Sequence, residues 1–181
     1  MWSAWAEGQR LAHLQCSLIY IDCGANKGDS LQNLVDGKVD ELGLGELLAH
    51  ALGTNWTATA LQGTCIQAFE MSPSQTRNLK QVEVMLAPKL RDLRVYTETA
   101  LVGNKRQQMH FTRSGVSGGK DQTAAHVITG DRRPRKSAIV NATNFGDYMG
   151  SLLGGFNSTH IPVVMRMDVE GSEECETCSN Q

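Results

Sequence analysis

The segment Cys16-Ser-Leu-Ile-Tyr-Ile-Asp22 runs into Gly24-Ala-Asn-Lys-Gly28, and no other stretch of the chain restricts its fold as strongly. A short apolar run that stops on glycines is a buried strand entering a tight turn, because glycine adopts the positive-φ conformations such turns need. Beyond the turn, Asp29 or Ser30 can cap a helix whose apolar residues Leu31, Leu34, Val35 and Val39 recur at roughly helical spacing. The unit is strand, glycine turn, helix. A second unit repeats the design. Cys65-Ile-Gln-Ala-Phe-Glu70 ends on a carboxylate, Ser72 suits an N-cap, Pro73 suits the first helical position, and Gln75 completes an S-x-x-Q capping box. Leu79, Val82, Met85 and Leu86 supply the buried face of that helix. Between the two units, residues 40–63 carry leucines in patches interrupted by Gly43, Gly45 and Gly53, and read as a helical insertion.

The β-prone stretch 94–102 predicts a third strand, with a hairpin return through Met109 and Phe111. Residues 114–135 are polar and read as a surface loop, and the Arg132, Arg133, Arg135 and Lys136 cluster as a solvated part of it. A short strand over 137–142 leads to a helix capped by Thr143 or Asn144, with Phe145, Tyr148, Met149, Leu152 and Leu153 on one face. The last apolar run, 161–167, ends on Asp168-Val-Glu170. Core strands are thus expected near 17–22, 65–70, 94–102 and 162–168, with shorter ones near 108–113 and 137–142. Of 181 residues, 40% are apolar, enough for one core and too few for two comfortable domains, so residues 1–181 are read as a single domain. Strands alternating with helices predict an α/β fold with a largely parallel sheet.

Several function classes are disfavoured at this level. Lys plus Arg number 17 against 19 for Asp plus Glu, and a net charge of −2 gives no global field for nucleic acid or an anionic membrane. No apolar run reaches the ~18 residues of a membrane span, and the first residues do not resemble a signal peptide, so a cytoplasmic location is expected. The cysteines Cys16, Cys23, Cys65, Cys175 and Cys178 are odd in number and spread out, which argues against a disulfide framework and for a reducing compartment. Cys175-x-x-Cys178 has no second pair with metal-ligand spacing, so no metal is expected. N-x-[ST] patterns at Asn55, Asn141 and Asn157 would matter only in a secreted protein and, with no signal peptide legible, read as chance matches. His110 and His126 stand in strand or polar contexts and read as surface residues.

In a parallel sheet, ligands bind beyond the carboxyl ends of the strands. Three of those ends carry polar signals: Asp22 with Gly24-x-x-x-Gly28, then Glu70, then Asp168 with Glu170. Glycines let the first turn bring backbone N–H groups against a ligand, and a carboxylate on the next strand can accept hydrogen bonds from a ribose diol. A nucleoside-bearing cofactor fits this set. A dinucleotide fingerprint, G-x-G-x-x-G, needs glycine where Asn26 stands, so an NAD(P)-dependent oxidoreductase is the weaker reading. A ligand without a pyrophosphate, such as S-adenosylmethionine (SAM), tolerates Asn26.

Ile21-Asp-Cys-Gly-Ala-Asn-Lys-Gly28 resembles the D-x-G-A-N-x-G motif of the FkbM family of SAM-dependent methyltransferases. Ala68-Phe-Glu-Met-Ser-Pro73 resembles its F-E-P-x-P motif, and Met167-Asp-Val-Glu-Gly-Ser-Glu173 its K-x-D-V-E-G-x-E motif. The three follow in the family's order and span roughly residues 18–173. The resemblance implies a Rossmann-like methyltransferase sheet with helices on both faces. It implies that Gly24, Asn26 and Gly28 surround the amino-acid end of SAM, that Asp22 supports this loop, and that Glu70 binds the ribose with Ser72 near the adenosine. Asp168 would lie near the sulfonium as a positioning or proton-accepting group, with Glu170 the second candidate. The acceptor implied is a hydroxyl on a small molecule, sugar or lipid-like compound.

Departures from the family are Met71 for a proline, Arg166 for a lysine, and the long insertion. The sheet is also expected to be incomplete on its C-terminal side, since the sequence stops soon after the fourth core strand. The alternative reading is accordingly a shortened, inactive methyltransferase-like module that associates with itself or a partner through an exposed sheet edge.

Overall fold

The computed structural model describes residues 10–11, 14–39, 43–53, 58–102, 108–113, 125–128, 137–154 and 161–168. Its centre is a parallel four-stranded sheet built from β1 (Leu18–Cys23), β2 (Thr64–Glu70), β3 (Asp92–Thr97) and β8 (Val163–Met167), in the order β3-β2-β1-β8. All residues of β1 and β2 are buried, as befits near-continuous apolar strands covered on both faces.

Side-chain alternation divides the core in two. Leu18 and Tyr20 of β1, Ile66 and Ala68 of β2, and Val164 of β8 face one layer. That layer is formed by α1 (Asp29–Val35), α2 (Gly45–Leu52) and α3 (Thr76–Leu86), through Leu31, Leu34, Leu48, Leu79 and Leu86. Ile19, Ile21 and Cys23, with Cys65 and Phe69, face the opposite layer, where Tyr148 and Leu152 of α4 (Phe145–Gly154) pack with Leu11. The α/β architecture with helices on both faces is therefore present and is compatible with a Rossmann-like fold. The insertion is helical at α2 and again in the 3₁₀ turn Ala58–Gly63; α2 contacts β8. Among the described residues, β8 pairs on its β1 side alone, and Met167 is exposed there.

Five expectations are corrected. The strand expected over 94–102 is broken at Glu98, whose φ of 55° turns the chain out of the sheet. Beyond it, β4 (Thr99–Val102) joins a second sheet with β5 (Gln108–Arg113), β6 (Ala125–Ile128) and β7 (Ser137–Asn144), ordered β4-β7-β5-β6. The expected hairpin between 94–102 and the return strand does not form, because β7 lies between β4 and β5, parallel to one and antiparallel to the other. The loop over 114–135 contains β6, paired antiparallel with β5. The capping box at Ser72 is not made either: no side-chain cap bond forms there, the Ser72 hydroxyl meets that of Ser74 at 2.8 Å, and a 3₁₀ turn (Pro73–Gln75) precedes α3.

The fifth correction concerns the cysteines. Cys16 and Cys65 form a disulfide, with Cα atoms 5.7 Å apart, against the expectation of reduced thiols. Its origin lies in the topology. Cys16 precedes β1, Cys65 is the second residue of β2, and these parallel neighbouring strands start side by side. At the other cap, the expectation holds: Asn144 Oδ1 accepts the Asp147 N–H at 2.8 Å and starts α4.

No helix among the described residues is long and apolar enough to cross a membrane. Glu170, Glu173, Cys175, Cys178, the Arg132 to Lys136 cluster, Asn55 and Asn157 lie outside the described residues.

Candidate functional site at the carboxyl ends of the strands

The chain leaves β1 toward β2 and β3 on one side, while β8 returns to the other side of β1. The strand order therefore reverses at β1, and in open α/β sheets the crevice above such a reversal is where ligands bind. Asp22, Gly24, Asn26 and Gly28 at the end of β1, Glu70 and Ser72 at the end of β2, and Asp168 after β8 all lie at this edge.

The glycine turn is tied down by both neighbouring strands. The N–H groups of Gly24 and Ala25 donate to the Phe69 carbonyl at 2.9 and 3.0 Å. On the other side, the Asp168 N–H donates to the Cys23 carbonyl at 2.8 Å. The approach to β8 is so close that a Cβ on Gly24, which has φ 92°, would stand 2.0 Å from the Asp168 carbonyl oxygen. Only glycine fits. Asn26 adopts φ 49°, a left-handed conformation that asparagine tolerates better than most residues, and Gly28 (φ 90°) precedes α1 against Val82.

Glu70 closes the turn from the β2 side. Its Oε2 accepts the Asn26 N–H and its Oε1 the Ser72 N–H, both at 2.7 Å. The residue is buried, and burial pushes its carboxyl pKa up in spite of these donors. Asp22 is fully buried. Its Oδ2 accepts the Ser30 hydroxyl, and Arg166 Nη1 lies 3.2 Å from its Oδ1. Burial again raises the carboxyl pKa, against the Ser30 and Arg166 interactions that lower it. Arg166 spans the gap to β8's end, its Nη2 donating to Asp168 Oδ2 at 2.5 Å. Asp168 is itself half exposed, so the cluster grades from a buried support, Asp22, to an accessible carboxylate.

The site's one local thiol is inert. Burial pushes Cys23 up to about 12, which leaves no appreciable thiolate at neutral pH. Among the described residues no group of His, Cys, Asp and Glu is arranged to hold a metal ion. No protein-family model, curated protein or solved structure matches the chain.

The structure brings together every candidate within the described residues: Asp22, Gly24, Asn26, Gly28, Glu70, Ser72 and Asp168. Two contributors were not among them. Ser30 serves as the hydroxyl partner of Asp22 rather than as a helix cap, and Arg166 is the cation that links two strand ends. An arginine in an apolar strand, two residues before a terminal aspartate, was the available signal for the second.

Two predictions arise here. Arg166→Met leaves the fully buried Asp22 carboxylate with one hydroxyl partner. Because removing one member of a buried pair strands the other charge, stability should fall by about 2–3 kcal/mol, the lower side of the usual range given the partly exposed guanidinium. Urea unfolding of the two proteins measures this. A wild-type midpoint in the variant would show that the pair contributes nothing.

The second concerns pH. A carboxyl whose pKa is raised on folding binds its proton more tightly in the native state, so its contribution is fully present below the unfolded pKa and is lost as pH rises through the folded one. Asp22 and Glu70 both belong to this class. Thermal midpoints should decline as pH climbs above ~4, the unfolded carboxylate range. Glu70→Gln should decline less over the same interval; an unchanged profile would count against the burial of this charge.

Proposed function

We propose that the chain binds SAM in the crevice above β1 and β8 and directs its methyl group to an acceptor hydroxyl. The observation that carries this reading is the backbone-to-backbone approach of Gly24 to Asp168 at the point of strand reversal. It brings a glycine turn and an accessible β8 carboxylate to one strand-end edge beside the β2 carboxylate Glu70, an arrangement that supports the reading drawn from the resemblance to FkbM methyltransferases.

The charge pattern favours SAM over a dinucleotide. Asp22 and Asp168 share the Arg166 guanidinium, and Glu70 at the end of β2 adds a third carboxylate to the same strand-end edge, an acidic excess that suits a sulfonium cation better than a pyrophosphate. Asn26, left-handed and bonded through its N–H to Glu70, also occupies the place where a dinucleotide fingerprint has glycine. Each Glu70 oxygen accepts one backbone N–H from Asn26 or Ser72, and a carboxylate has acceptor capacity beyond this for a ribose diol.

SAM supplies an activated methyl group, so the chain's own task is alignment, desolvation and removal of the acceptor's proton. Asp168, held in place by Arg166 and half exposed, is the group positioned to orient an acceptor. Glu170, outside the described residues, is the second candidate from the motif.

Titration calorimetry with S-adenosylhomocysteine tests the reading. Binding should be measurable in the wild type and weaken about 10- to 100-fold in Glu70→Ala, the loss of hydrogen bonds to a charged group. Asp168→Asn should keep its affinity and lose turnover. A folded chain that ignores S-adenosylhomocysteine, or binds NAD or NADP instead, would overturn the proposal.

A further inference from the structure

The second sheet offers a feature that the strand-end site does not use. Along β7, Val140 and Ala142 are buried, whereas Ile139 and Asn141, which alternate with them, are exposed on the other face. Asn141-Ala-Thr143 is an N-x-T acceptor pattern. On sequence alone it reads as chance, because the first residues do not resemble a signal peptide and the spread of cysteines argues for a reducing compartment. The Cys16–Cys65 disulfide removes the second of these premises.

Both sulfurs are buried beneath the starts of β1 and β2, where Cys16 and Cys65 join the apolar layer under α4. Disulfides of this structural kind persist in oxidising compartments and are rare where thiols are kept reduced. The secretory lumen is both the oxidising setting and the place where oligosaccharide is attached to N-x-[ST] asparagines. We propose that the protein matures in such a lumen, rather than in the cytoplasm expected from its sequence, and that Asn141 carries an N-linked glycan. Two independent observations meet in this assignment: a covalent bond that requires oxidation, and an acceptor asparagine with an outward side chain.

The transfer is balanced as follows. The Asn141 side-chain nitrogen attacks the anomeric carbon of a lipid-pyrophosphate-linked oligosaccharide, forming a C–N bond as the bond from that carbon to the pyrophosphate oxygen breaks. The lipid pyrophosphate leaves with the bonding electron pair, and the amide proton passes to a base of the transferase. The Thr143 hydroxyl, two residues on, completes the recognised pattern. Transfer must precede folding, because in the finished sheet the Asn141 N–H donates to the Glu98 carbonyl at 2.8 Å and the strand is paired on both sides. Once folded, the outward side chain leaves room for the glycan, which would cover neighbouring Ile139, now 57% exposed.

The test is peptide mapping of the full chain isolated from its native host, without reduction. Expected are a Cys16–Cys65 cross-linked peptide and conversion of Asn141 to aspartate, labelled with heavy oxygen, on treatment with peptide N-glycosidase in ¹⁸O-water. In the same host Asn141→Gln and Thr143→Val should each lose that glycan, and Thr143→Ser should retain it. Free thiols at Cys16 and Cys65 would overturn the compartment. An unmodified Asn141 in disulfide-bonded protein would overturn the glycan.

Discussion

Gly24→Ala is expected to lower stability by about 4 kcal/mol and to eliminate S-adenosylhomocysteine binding. Two costs combine. A side chain at φ 92° is strained, and its Cβ, 2.0 Å from the Asp168 carbonyl oxygen, must push β8's end away from the turn. The obstacle is backbone rather than the tip of a flexible side chain, so no rotamer change relieves it. Gly53, which also has positive φ but no atom within 4 Å of the added carbon, is the matched control. Gly53→Ala should carry the dihedral cost alone and keep ligand binding. Denaturant titration and calorimetry on the two variants separate the effects; equal losses would mean that proximity to Asp168 is irrelevant.

Removing the disulfide should have a comparable effect. With Cys16 and Cys65 separated by 49 residues, replacing both by alanine frees a long loop in the unfolded chain, a cost of about 4 kcal/mol in the chain-entropy account. Both side chains are buried in an apolar layer, so alanine adds small losses of packing without stranding a polar group. The double variant should show a clearly lower urea midpoint, and reduction of the wild type should reproduce most of that shift. A variant as stable as the parent would show that the unfolded chain is already constrained between these residues.

What the sequence conveyed was whatever depends on local pattern. The two strand–turn–helix units, the α4 stripe and the carboxylates at the strand ends all follow from spacing along the chain, and the structure forms them, although Met85 and Leu153, expected on buried helix faces, are exposed. What it hid depends on which strands become neighbours. The Asp22–Arg166 pair needs β8 beside β1 in a register that sets those two residues opposite each other, a fact separated by 144 positions of sequence. The Cys16–Cys65 bond likewise needs the β1–β2 pairing. The hairpin expectation failed because strands adjacent in sequence usually pair, and here β7 intervenes. Glu98 gave no warning, since glutamate is not a residue that announces a left-handed turn. Asp168 and Glu70 were legible as candidates; Arg166, which organises two of the carboxylates, became so only through the sheet.

The dependence of the glycine turn on Asp168 also sets an order of events during synthesis. Residues 18–28 leave the ribosome early, and the turn can gain its bonds to Phe69 and Glu70 once β2 has emerged. Its other wall arrives only with β8, after the whole second sheet has been made. Until then Asp22 has Ser30 but lacks its guanidinium, and the crevice has one side. Contacts of such long separation form slowly and late. A nascent chain stopped anywhere short of residue 168 would therefore carry its most recognisable motif without the strand that closes the turn and without the guanidinium that pairs with Asp22.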